Sequence, residues 1–308
     1  MSLLLVAQHR DMKPFRDAIL KKDSNMNVEI WPDVQDLRRV QFAVAWNQPK
    51  NLFGHYPNLK AISSLGAGVD HLLTDSSIPD SIRITRFVAP SLSDQMSDYV
   101  LTAVLNLLRK TDYYYGQQKQ GEWKAVPFFS KNDLATGLMG LGELGRCSAE
   151  RLKMNGFNVN GWSKSKKEIE GLSSYSENEL NEFLSVTNIL VCMLPLTNET
   201  EGILDLKLFK MMKQPAFIIN VARGEHLVEE DLIYALDTRL ISRAVLDVFS
   251  KEPLPDSHPF WSREKITITP HIASLTNPKE VAELLVENYK RLLSGMDLLY
   301  EIDRNKGY

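Results

Sequence analysis

The stretch Leu134-Ala-Thr-Gly-Leu-Met-Gly140-Leu-Gly142-Glu-Leu-Gly145 decides the fold of this 308-residue chain. Its first half is a largely apolar run that predicts a buried β-strand, and Leu144–Asn155, ended by Gly156, predicts a helix. The glycines between them are spaced GxGxxG. Here the first glycine permits a tight turn, the second lets the backbone approach a pyrophosphate, and the third allows close helix–strand packing. The stretch therefore predicts a dinucleotide-binding turn with the phosphates at the start of the helix, against the plainer alternative of a simple strand–helix connection.

Short apolar strands alternate with amphipathic segments along the rest of the chain. The strands are continuous runs of β-branched residues and leucine, which is typical of a parallel sheet buried on both faces. Asp11–Lys22 is expected to be helical or irregular, helices are expected at Glu229–Asp237 and Lys279–Leu293, and one long helix is expected over Ser93–Gln120. The pattern predicts a doubly wound α/β fold. The predicted strands are Leu3–Ala7, Phe42–Trp46, Lys60–Leu65, Arg83–Phe87, Leu134–Met139, Phe157–Trp162, Ile189–Met193, Phe217–Val221, Ala244–Val248 and Ile266–Thr269.

The length of the chain predicts two domains, because a single hydrophobic core usually stops growing at about 250–300 residues. The long helix would connect the two domains, and the C-terminal helix would return the chain to the first. The first domain would then be discontinuous, with residues 1–98 plus 273–308, and the second would span residues 99–272.

Composition disfavours several classes of protein. Apolar residues make up 44% and charged residues 24%, and the net charge of −3 gives no attraction to nucleic acid or anionic membranes. No apolar run approaches the roughly 20 residues that span a bilayer, and Leu3–Ala7 is too short for a secretory signal. Cys147 and Cys192 are expected to be buried thiols of a cytoplasmic protein, and no Cys or His spacing predicts a metal site.

The end of the second strand of the nucleotide domain indicates which dinucleotide is preferred. NAD sites usually carry Asp or Glu there, about 20 residues beyond the glycines, to bind the ribose hydroxyls. This chain instead has Trp162-Ser-Lys-Ser-Lys-Lys167, with no carboxylate before Glu168. Serine hydroxyls and lysines would bind a 2′-phosphate that a carboxylate would repel. The segment favours NADPH over NADH, with a solvated basic loop as the alternative.

Three later segments place polar residues just beyond buried strands. They are Asn220-Val-Ala-Arg223-Gly224, Leu246-Asp247 running to Glu252-Pro253, and Thr269-Pro-His271. Ligands of open α/β sheets bind at this edge. Taken singly, a surface arginine, a turn glutamate and a structural histidine would each be ordinary, but their appearance at successive strand ends predicts a common site. His226 is expected at the surface and receives no role.

The order and spacing of these motifs resemble the D-isomer-specific 2-hydroxyacid dehydrogenase family over nearly the whole chain. Further motifs that carry the resemblance are Leu65-Gly-Ala-Gly-Val-Asp70 and Leu194-Pro-Leu-Thr197 with Glu199-Thr200. Trp46 and the Trp-Ser-Lys-Ser run are most similar to the short glyoxylate/hydroxypyruvate reductases. The resemblance implies a Rossmann domain inserted into a flavodoxin-like substrate domain, reduction of a small 2-oxo acid, and a homodimer.

Reduction of a 2-oxo acid requires a hydride donor, a proton donor for the carbonyl oxygen and a cation for the carboxylate. The cofactor, NADP or NAD, would supply the hydride. Histidine titrates near neutrality, which suits His271 as the proton donor. Glu252 would orient its ring and stabilise the imidazolium. Arg223 presents a planar fork that matches a carboxylate and can also polarise the ketone.

The resemblance also assigns substrate and cofactor contacts. The N–H groups of Ala67 and Gly68 would bind the substrate carboxylate opposite Arg223, Trp46 would wall the pocket, and Trp123 would come from a partner subunit. The Ser93–Gln120 region resembles the dimerisation element of the family. Plainer alternatives are a simple turn at Leu65–Asp70, a core tryptophan at position 46 and a turn-capping aspartate at position 247. The implied cofactor contacts are Gly140, Gly142, Glu143, Leu144, Gly145, Ser163, Lys164, Ser165, Leu194, Pro195, Val221, Ala222 and Asp247, the last at the nicotinamide amide.

Two other functions fit the same fold. A formate dehydrogenase of the superfamily has no carbonyl to protonate and carries an amide where Glu252 stands, so the carboxylate argues against it. A nucleotide-sensing corepressor or other binding module can retain all three polar residues and is not separated from an enzyme by the sequence alone.

Overall fold

The computed structural model describes residues 1–8 and 10–304. The chain forms two compact units, Met1–Pro90 with Leu275–Tyr308 (unit 1) and Ser91–Ser274 (unit 2). The domain limits expected from the sequence, after residues 98 and 272, stay a prediction.

Unit 1 is built on a five-stranded parallel sheet. The first strand contains Leu3–Val6, which have no exposed surface. This continuous apolar run explains why the strand is buried on both faces. The strand order is β2-β1-β3-β4-β5, the flavodoxin-like order. The strands are β1 (Ser2–Ala7), β2 (Val28–Ile30), β3 (Val40–Trp46), β4 (Ala61–Ser64) and β5 (Arg83–Thr85). The helices of this unit are α1 (Lys13–Lys22), α2 (Asp70–Leu73) and α9 (Pro278–Leu293).

Unit 2 is built on a seven-stranded parallel sheet in the order β12-β11-β10-β9-β6-β7-β8. Neighbouring residues Leu138 and Met139 are both fully buried but pack into different apolar clusters, so helices and loops cover both faces. The strands are β6 (Ala135–Met139), β7 (Asn158–Trp162), β8 (Ser173–Tyr175), β9 (Ile189–Cys192), β10 (Phe217–Asn220), β11 (Arg243–Leu246) and β12 (Ile266–Ile268). The helices are α3 (Pro90–Arg109), α4 (Thr111–Gln120), α5 (Glu143–Met154), α6 (Leu180–Ser185), α7 (Leu206–Met211) and α8 (Glu229–Asp237).

The strand order of unit 2 locates its binding edge. The first strand of the unit, β6, lies between β7 and β9, so successive strands are added first on one side of β6 and then on the other. Ligands bind beyond the carboxyl ends of the strands at such a switch point. The predicted fold class of two doubly wound parallel sheets, of Rossmann and flavodoxin-like type, is confirmed.

The prediction of one long helix over Ser93–Gln120 is wrong. The helix is interrupted at Lys110, whose φ of 55° and ψ of 38° lie in the left-handed region, and α4 begins at the next residue. The Thr111 hydroxyl donates to the side-chain oxygen of Asn106 at 2.9 Å across the break. The apolar spacing that predicted the helix continues through α3 only, because α4 is largely polar or aromatic.

Both cysteines are free thiols. Cys192 is fully buried at the end of β9, and burial raises the pKa of its thiol to about 12, so it stays protonated. Cys147 was expected to be buried as well, but it is partly exposed on α5.

Candidate active site

The first and third glycines of the GxGxxG turn lie where no other residue fits. Gly140 has φ of 113°, a conformation that other residues rarely adopt, and a Cβ there would meet the carbonyl oxygen of Met193 at 2.7 Å. A Cβ at Gly145 would overlap the carbonyl oxygen of Gly140. The turn between β6 and α5 therefore requires glycine at both positions.

The start of α5 is suited to a phosphate group. Gly142 is its N-cap residue, no side chain caps the helix, and the space where a Gly142 Cβ would stand is open. The first-turn N–H groups, those of Glu143, Leu144 and Gly145, have no acceptor within an α-helix by its geometry. Donors of this kind at a helix start bind anions. The residues present thus fit the pyrophosphate of a dinucleotide.

The remaining predicted cofactor residues follow the carboxyl ends of neighbouring strands. Leu194 and Pro195 follow β9, and Val221 and Ala222 follow β10 directly. Leu194, Val221 and Ala222 are buried, whereas Pro195 is exposed. All four lie at the same edge as the GxGxxG turn, because β6, β9 and β10 are adjacent and parallel.

The segment after β7 is less positively charged than its sequence suggests. Lys164 forms an ion pair of 2.8 Å with Glu199, a carboxylate from the loop after β9, and Lys166 pairs with Glu179 at 3.4 Å. The Ser163 hydroxyl donates to the Ser165 carbonyl at 2.8 Å and shapes the turn. No acidic residue stands at the end of β7, but Glu199 is brought there from a segment distant in the sequence.

Arg223, Glu252 and His271 come together at one edge of unit 2. They follow β10, β11 and β12, which are consecutive and parallel in the sheet. His271 Nδ1 lies 2.8 Å from Glu252 Oε2, and both side chains are about three-quarters buried, with 28% and 25% exposed. Glu252 Oε1 accepts from the Phe249 N–H at 3.0 Å.

The ionisation of Glu252 follows from these contacts. Burial by itself raises the pKa of Glu252, but the hydrogen bond and charge of His271, the Phe249 N–H and the charge of Arg223 outweigh it and hold the pKa below its ordinary value. A carboxylate can only accept, so His271 Nδ1 carries the proton between them. Since the folded-state pKa is lowered, this pairing stabilises the fold above the ordinary carboxyl range and is lost as the pH falls through the lowered pKa.

The backbone of His271 is held in an uncommon conformation. Its φ is 53°, in the left-handed region, which costs of order 1–3 kcal/mol for a residue other than glycine. The Asp247 carbonyl accepts from the His271 N–H at 2.8 Å, and the Asp247 carboxylate accepts from the N–H groups of Ile272 (2.9 Å) and Ala273 (2.8 Å). Asp247 therefore fixes the turn that presents the imidazole ring.

Two partly buried hydroxyl groups support Asp247. The Thr269 hydroxyl donates to Asp247 Oδ1 at 2.6 Å and lies 2.6 Å from the Tyr99 hydroxyl of α3. The single Thr269 hydroxyl proton goes to Asp247, so the Tyr99 hydroxyl, whose pKa burial raises to about 12, donates to Thr269. Asp247 is 1% exposed and accepts three hydrogen bonds through its side chain, so its contact to the nicotinamide amide stays a prediction beside its role in the turn.

The loop that carries Arg223 is braced from two sides. The buried amide of Asn220 donates to the Arg223 carbonyl oxygen at 2.8 Å and accepts from the Ala222 N–H at 3.1 Å. The guanidinium donates through Nη1 to the Ala222 carbonyl at 2.7 Å. A Cβ at Gly224 would overlap the backbone of Phe249, so the loop packs directly on the segment that leads to Glu252.

His226 is not at the surface, and that expectation is wrong. The residue has no exposed surface, because the short helical turn Gly224–His226 folds its ring inward. His226 Nδ1 lies 3.2 Å from the Arg223 nitrogen, and Nε2 lies 3.3 Å from the Pro195 carbonyl oxygen. The ring thus joins the two loops that follow β9 and β10.

The predicted substrate residues of unit 1 lie at the carboxyl edge of its own sheet. Trp46 ends β3, and its ring lies against Gly66, where a Cβ would meet it at 2.7 Å. The Ser64 hydroxyl donates to the Gly68 carbonyl at 2.6 Å and accepts from the Gly66 N–H at 3.3 Å. Among residues 1–8 and 10–304, no acceptor is hydrogen-bonded to the N–H of Ala67 or Gly68.

The sequence analysis did not identify the residues that hold the predicted site residues in place. Ser64, Tyr99, Asn220 and His226 touch site residues by side-chain bonds that no short motif encodes. Only Asn220 carried a signal, since it begins the Asn220–Gly224 motif. In the described part of the chain there is no group of three or more His, Cys, Asp or Glu suited to a metal ion, and no helix is long and apolar enough to cross a membrane.

The arrangement in unit 2 can transfer a proton next to a fixed cation. An imidazole held through Nδ1 by a carboxylate can give or take a proton at Nε2. A guanidinium at the same edge can bind and polarise an oxygen that gains negative charge. Beside a dinucleotide turn, this set suits oxidation and reduction at a carbinol carbon.

Comparisons with known proteins identify the family of the chain. Residues 101–273 match the family described as D-isomer specific 2-hydroxyacid dehydrogenase, NAD binding domain. Glyoxylate/hydroxypyruvate reductase A of Photorhabdus laumondii subsp. laumondii is 37% identical over 290 residues, which cover 92% of each chain.

Solved structures are similar over the whole chain. A D-isomer specific 2-hydroxyacid dehydrogenase from Xanthobacter autotrophicus Py2, in complex with NADPH and MES, superposes with a TM-score of 0.91 at 35% identity and covers 100% of this chain and 99% of that one. An NADPH-dependent glyoxylate/hydroxypyruvate reductase from Sinorhizobium meliloti, in complex with NADP and sulfate, gives a TM-score of 0.92 at 33% identity and covers 100% of both. The chain therefore belongs to the D-isomer specific 2-hydroxyacid dehydrogenase family, whose members are NAD(P)-dependent oxidoreductases acting on the CH–OH group of their donors.

Proposed function

We propose that this protein reduces glyoxylate or hydroxypyruvate to the D-2-hydroxy acid, with NADPH preferred as the hydride source. The observation that carries the proposal is the 2.8 Å contact between His271 and an ionised Glu252, at the sheet edge where Arg223 also lies. The relatives at 33–37% identity that bear the name glyoxylate/hydroxypyruvate reductase support the choice of substrate.

In the proposed reaction a dinucleotide bound at the GxGxxG turn would supply the hydride for the carbonyl carbon. His271 donates a proton from Nε2 to the carbonyl oxygen, and Glu252 stabilises the imidazolium before transfer. Arg223 binds the substrate carboxylate and attracts the carbonyl oxygen as it becomes negative. In the direction of oxidation His271 accepts the proton instead.

The loop after β4 is proposed as a second carboxylate contact. The N–H groups of Ala67 and Gly68 have no acceptor within the described residues. The Ser64 hydroxyl holds the loop through its hydrogen bonds to the backbone of Gly66 and Gly68. Two neighbouring backbone donors of this kind suit a carboxylate. We propose that Trp46, whose ring lies on Gly66, limits the size of the substrate side chain.

Steady-state rates over a substrate panel test this function. The panel combines glyoxylate, hydroxypyruvate, pyruvate and phenylpyruvate with NADPH and with NADH, and includes formate with NAD. We expect the highest kcat/KM for glyoxylate or hydroxypyruvate with NADPH. Tight NADPH binding without turnover of any 2-oxo acid would instead identify a binding module, and turnover of formate alone would identify a formate dehydrogenase.

The preference for NADPH is proposed from the residues after β7. Ser163, Lys164 and Ser165 would bind the 2′-phosphate, and no carboxylate ends the strand. Glu199 opposes this preference. Because its Oε2 lies 2.8 Å from Lys164 Nζ, any phosphate oxygen bonded to Lys164 in this position would lie within about 6 Å of a negative charge.

Glu199→Gln is therefore expected to tighten NADPH binding by about 2- to 5-fold, because an exposed pair of this kind is worth up to ~1 kcal/mol. Binding of NADH should not change. Titration of the dinucleotides at low and high salt measures both constants, and high salt should reduce the gain.

Matched variants separate the parts of this prediction. Glu201→Gln removes a similar exposed charge that has no ion pair among the described residues and should leave NADPH binding unchanged. Lys164→Met should weaken NADPH binding about tenfold and spare NADH, as loss of a charge-assisted hydrogen bond predicts. An equal effect of Lys164→Met on both dinucleotides would remove the basis for the 2′-phosphate site.

A homodimer is proposed from unit 2. Tyr115, Trp123 and Phe128 are exposed around α4 and the segment that follows it, and Trp123 is fully exposed. Large aromatic side chains in this number are unusual on a free surface and typical of an interface. Sedimentation equilibrium should give about twice the 35.0 kDa mass of the chain, and Trp123→Ser should lower the dimer fraction or the affinity for substrate. A monomer with unchanged kinetics in that variant would contradict the proposal.

A cytoplasmic location is proposed from the two free thiols, Cys147 and Cys192, which suit a reducing compartment. Recovery of the protein in a periplasmic or extracellular fraction would contradict it.

A further inference from the structure

His226 lies between the loop that carries Arg223 and the loop after β9. The ring has no exposed surface, and its two nitrogens reach different segments. Nδ1 is 3.2 Å from the Arg223 backbone nitrogen and 3.1 Å from the Arg223 carbonyl oxygen, and Nε2 is 3.3 Å from the Pro195 carbonyl oxygen. Burying an imidazole ring costs free energy unless both of its nitrogens form hydrogen bonds.

The chemistry of the two contacts defines the state of the ring. The Pro195 carbonyl oxygen can only accept, so Nε2 must carry a proton to bond to it. With that proton on Nε2, Nδ1 of the neutral ring can only accept, so of its two Arg223 neighbours it bonds to the N–H and not to the carbonyl oxygen. Each nitrogen of this tautomer therefore serves one loop, and neither contact can be made by an apolar residue of the same size.

Both loops carry groups that the proposed function uses. Arg223 is the proposed substrate cation, and Leu194 and Pro195 are proposed cofactor contacts. The Arg223 carbonyl is held separately by Asn220, and the Pro195 carbonyl also accepts from the Thr200 hydroxyl at 2.7 Å. The Arg223 N–H has His226 Nδ1 as its acceptor. Backbone bonds from the N–H groups of Gly202 and Leu204 to the carbonyls of Glu225 and His226 join the same segments further along, but only the ring reaches both the Arg223 N–H and the Pro195 carbonyl among the described residues.

We propose that His226 is a positioning residue that couples the substrate cation Arg223 to the cofactor loop at Pro195. The proposal rests on the proposed function, because it takes the roles of Arg223 and Pro195 from it. Through Nδ1 the ring would fix the position of the Arg223 backbone beyond the end of β10. Through Nε2 it would fix the position of the loop after β9, which carries Leu194 and Pro195.

Two substitutions separate the two contacts. His226→Asn places an oxygen near the position of Nδ1 and loses the reach to Pro195. His226→Gln places an NH₂ group near the position of Nε2 and loses the acceptor for Arg223. A hydrogen bond contributes a factor of about 3–10 in an equilibrium constant.

The variants should therefore show opposite effects. We expect His226→Asn to raise the Kd of NADPH about 3- to 10-fold with the KM of the 2-oxo acid nearly unchanged. We expect His226→Gln to raise the KM of the 2-oxo acid by a similar factor with the Kd of NADPH nearly unchanged. His226→Leu should show both losses. Fluorescence titration gives the NADPH constants without turnover, and initial rates give the KM values.

Asn188→Ala is the matched control. Asn188 is also a buried polar bridge, since it accepts from the Ala135 N–H at 3.1 Å and donates to the Lys213 carbonyl at 3.2 Å, but it precedes β9 and so lies at the opposite edge of the sheet. It should lower the Tm without separating the two constants. If both His226 variants also lower the Tm alone, or raise both constants equally, His226 only packs and the coupling is wrong. If wild-type protein turns over no 2-oxo acid, the proposed function fails. The NADPH titrations of the His226 variants then still show whether the contact of Nε2 with Pro195 affects cofactor binding.

Discussion

His271→Gln should reduce kcat for the 2-oxo acid by about 10²–10⁴, the range that general acid catalysis contributes. Glutamine is similar in size and can still bond to Glu252 through its amide, but it cannot give up a proton to the carbonyl oxygen. NADPH binding should stay within twofold of wild type, because His271 follows β12, whereas the dinucleotide turn lies between β6 and α5. Stopped-flow measurement of NADPH oxidation, with a parallel binding titration, separates the two effects.

Glu252→Gln is the companion variant for this result. It removes the negative charge that stabilises the imidazolium but leaves a group able to accept from His271. Reduction requires the protonated ring, so kcat/KM of this variant should begin to fall at a lower pH than that of wild type as the pH rises. At low pH the two should approach each other. Turnover of His271→Gln within tenfold of wild type would mean that another group donates the proton.

Arg223→Lys should lower kcat/KM for the 2-oxo acid by about 10- to 150-fold, because the loss of one hydrogen bond to a charged group costs about 1.5–3 kcal/mol. Lysine keeps the charge but loses the planar fork that can bind a carboxylate through two donors and polarise the carbonyl. The guanidinium is oriented by its 2.7 Å bond to the Ala222 carbonyl, and lysine has no equivalent geometry. Most of the loss should appear in KM, with a smaller part in kcat.

The control for Arg223→Lys is Arg239→Lys, a change at an exposed arginine beyond α8. It should leave kinetics and Tm unchanged. Added guanidinium salts should partly restore the activity of an Arg223→Ala variant, because the lost group is then supplied in solution. A normal KM in Arg223→Lys would show that a simple positive charge suffices and that the fork has no role.

The strands that could be predicted are those with a strong local signal. Leu3–Val6 and Ile189–Cys192 are continuous apolar runs, and such runs have few alternatives to a buried parallel strand. The edge strands β2 and β8 were not predicted, because a glutamate interrupts Val28–Ile30 and two serines begin Ser173–Tyr175, so neither is a continuous apolar run. The break at Lys110 was missed for a different reason: a lysine in the left-handed region leaves no mark in the apolar spacing.

The candidate site could be anticipated from chain order alone. In parallel strands the polar residue after each strand comes to the same edge, so Arg223, Glu252 and His271 are placed together once β10, β11 and β12 are adjacent. What chain order does not contain is contact between side chains from distant segments. The ion pair of Lys164 with Glu199 and the burial of His226 both depend on how loops pack. The first makes the segment after β7 less positively charged than its sequence suggests, and the second places His226 in the interior and not at the surface.

Chiral analysis of the product from hydroxypyruvate and NADPH tests the central claim most directly. Purified wild-type protein should form D-glycerate and consume one NADPH for each molecule formed, because a substrate anchored by its carboxylate would receive the hydride on one face of its carbonyl carbon while His271 protonates the oxygen. Formation of L-glycerate would contradict the proposed placement of the cofactor and His271. No glycerate at all, with NADPH bound, would contradict the assignment of Arg223, Glu252 and His271 to the reduction of this 2-oxo acid.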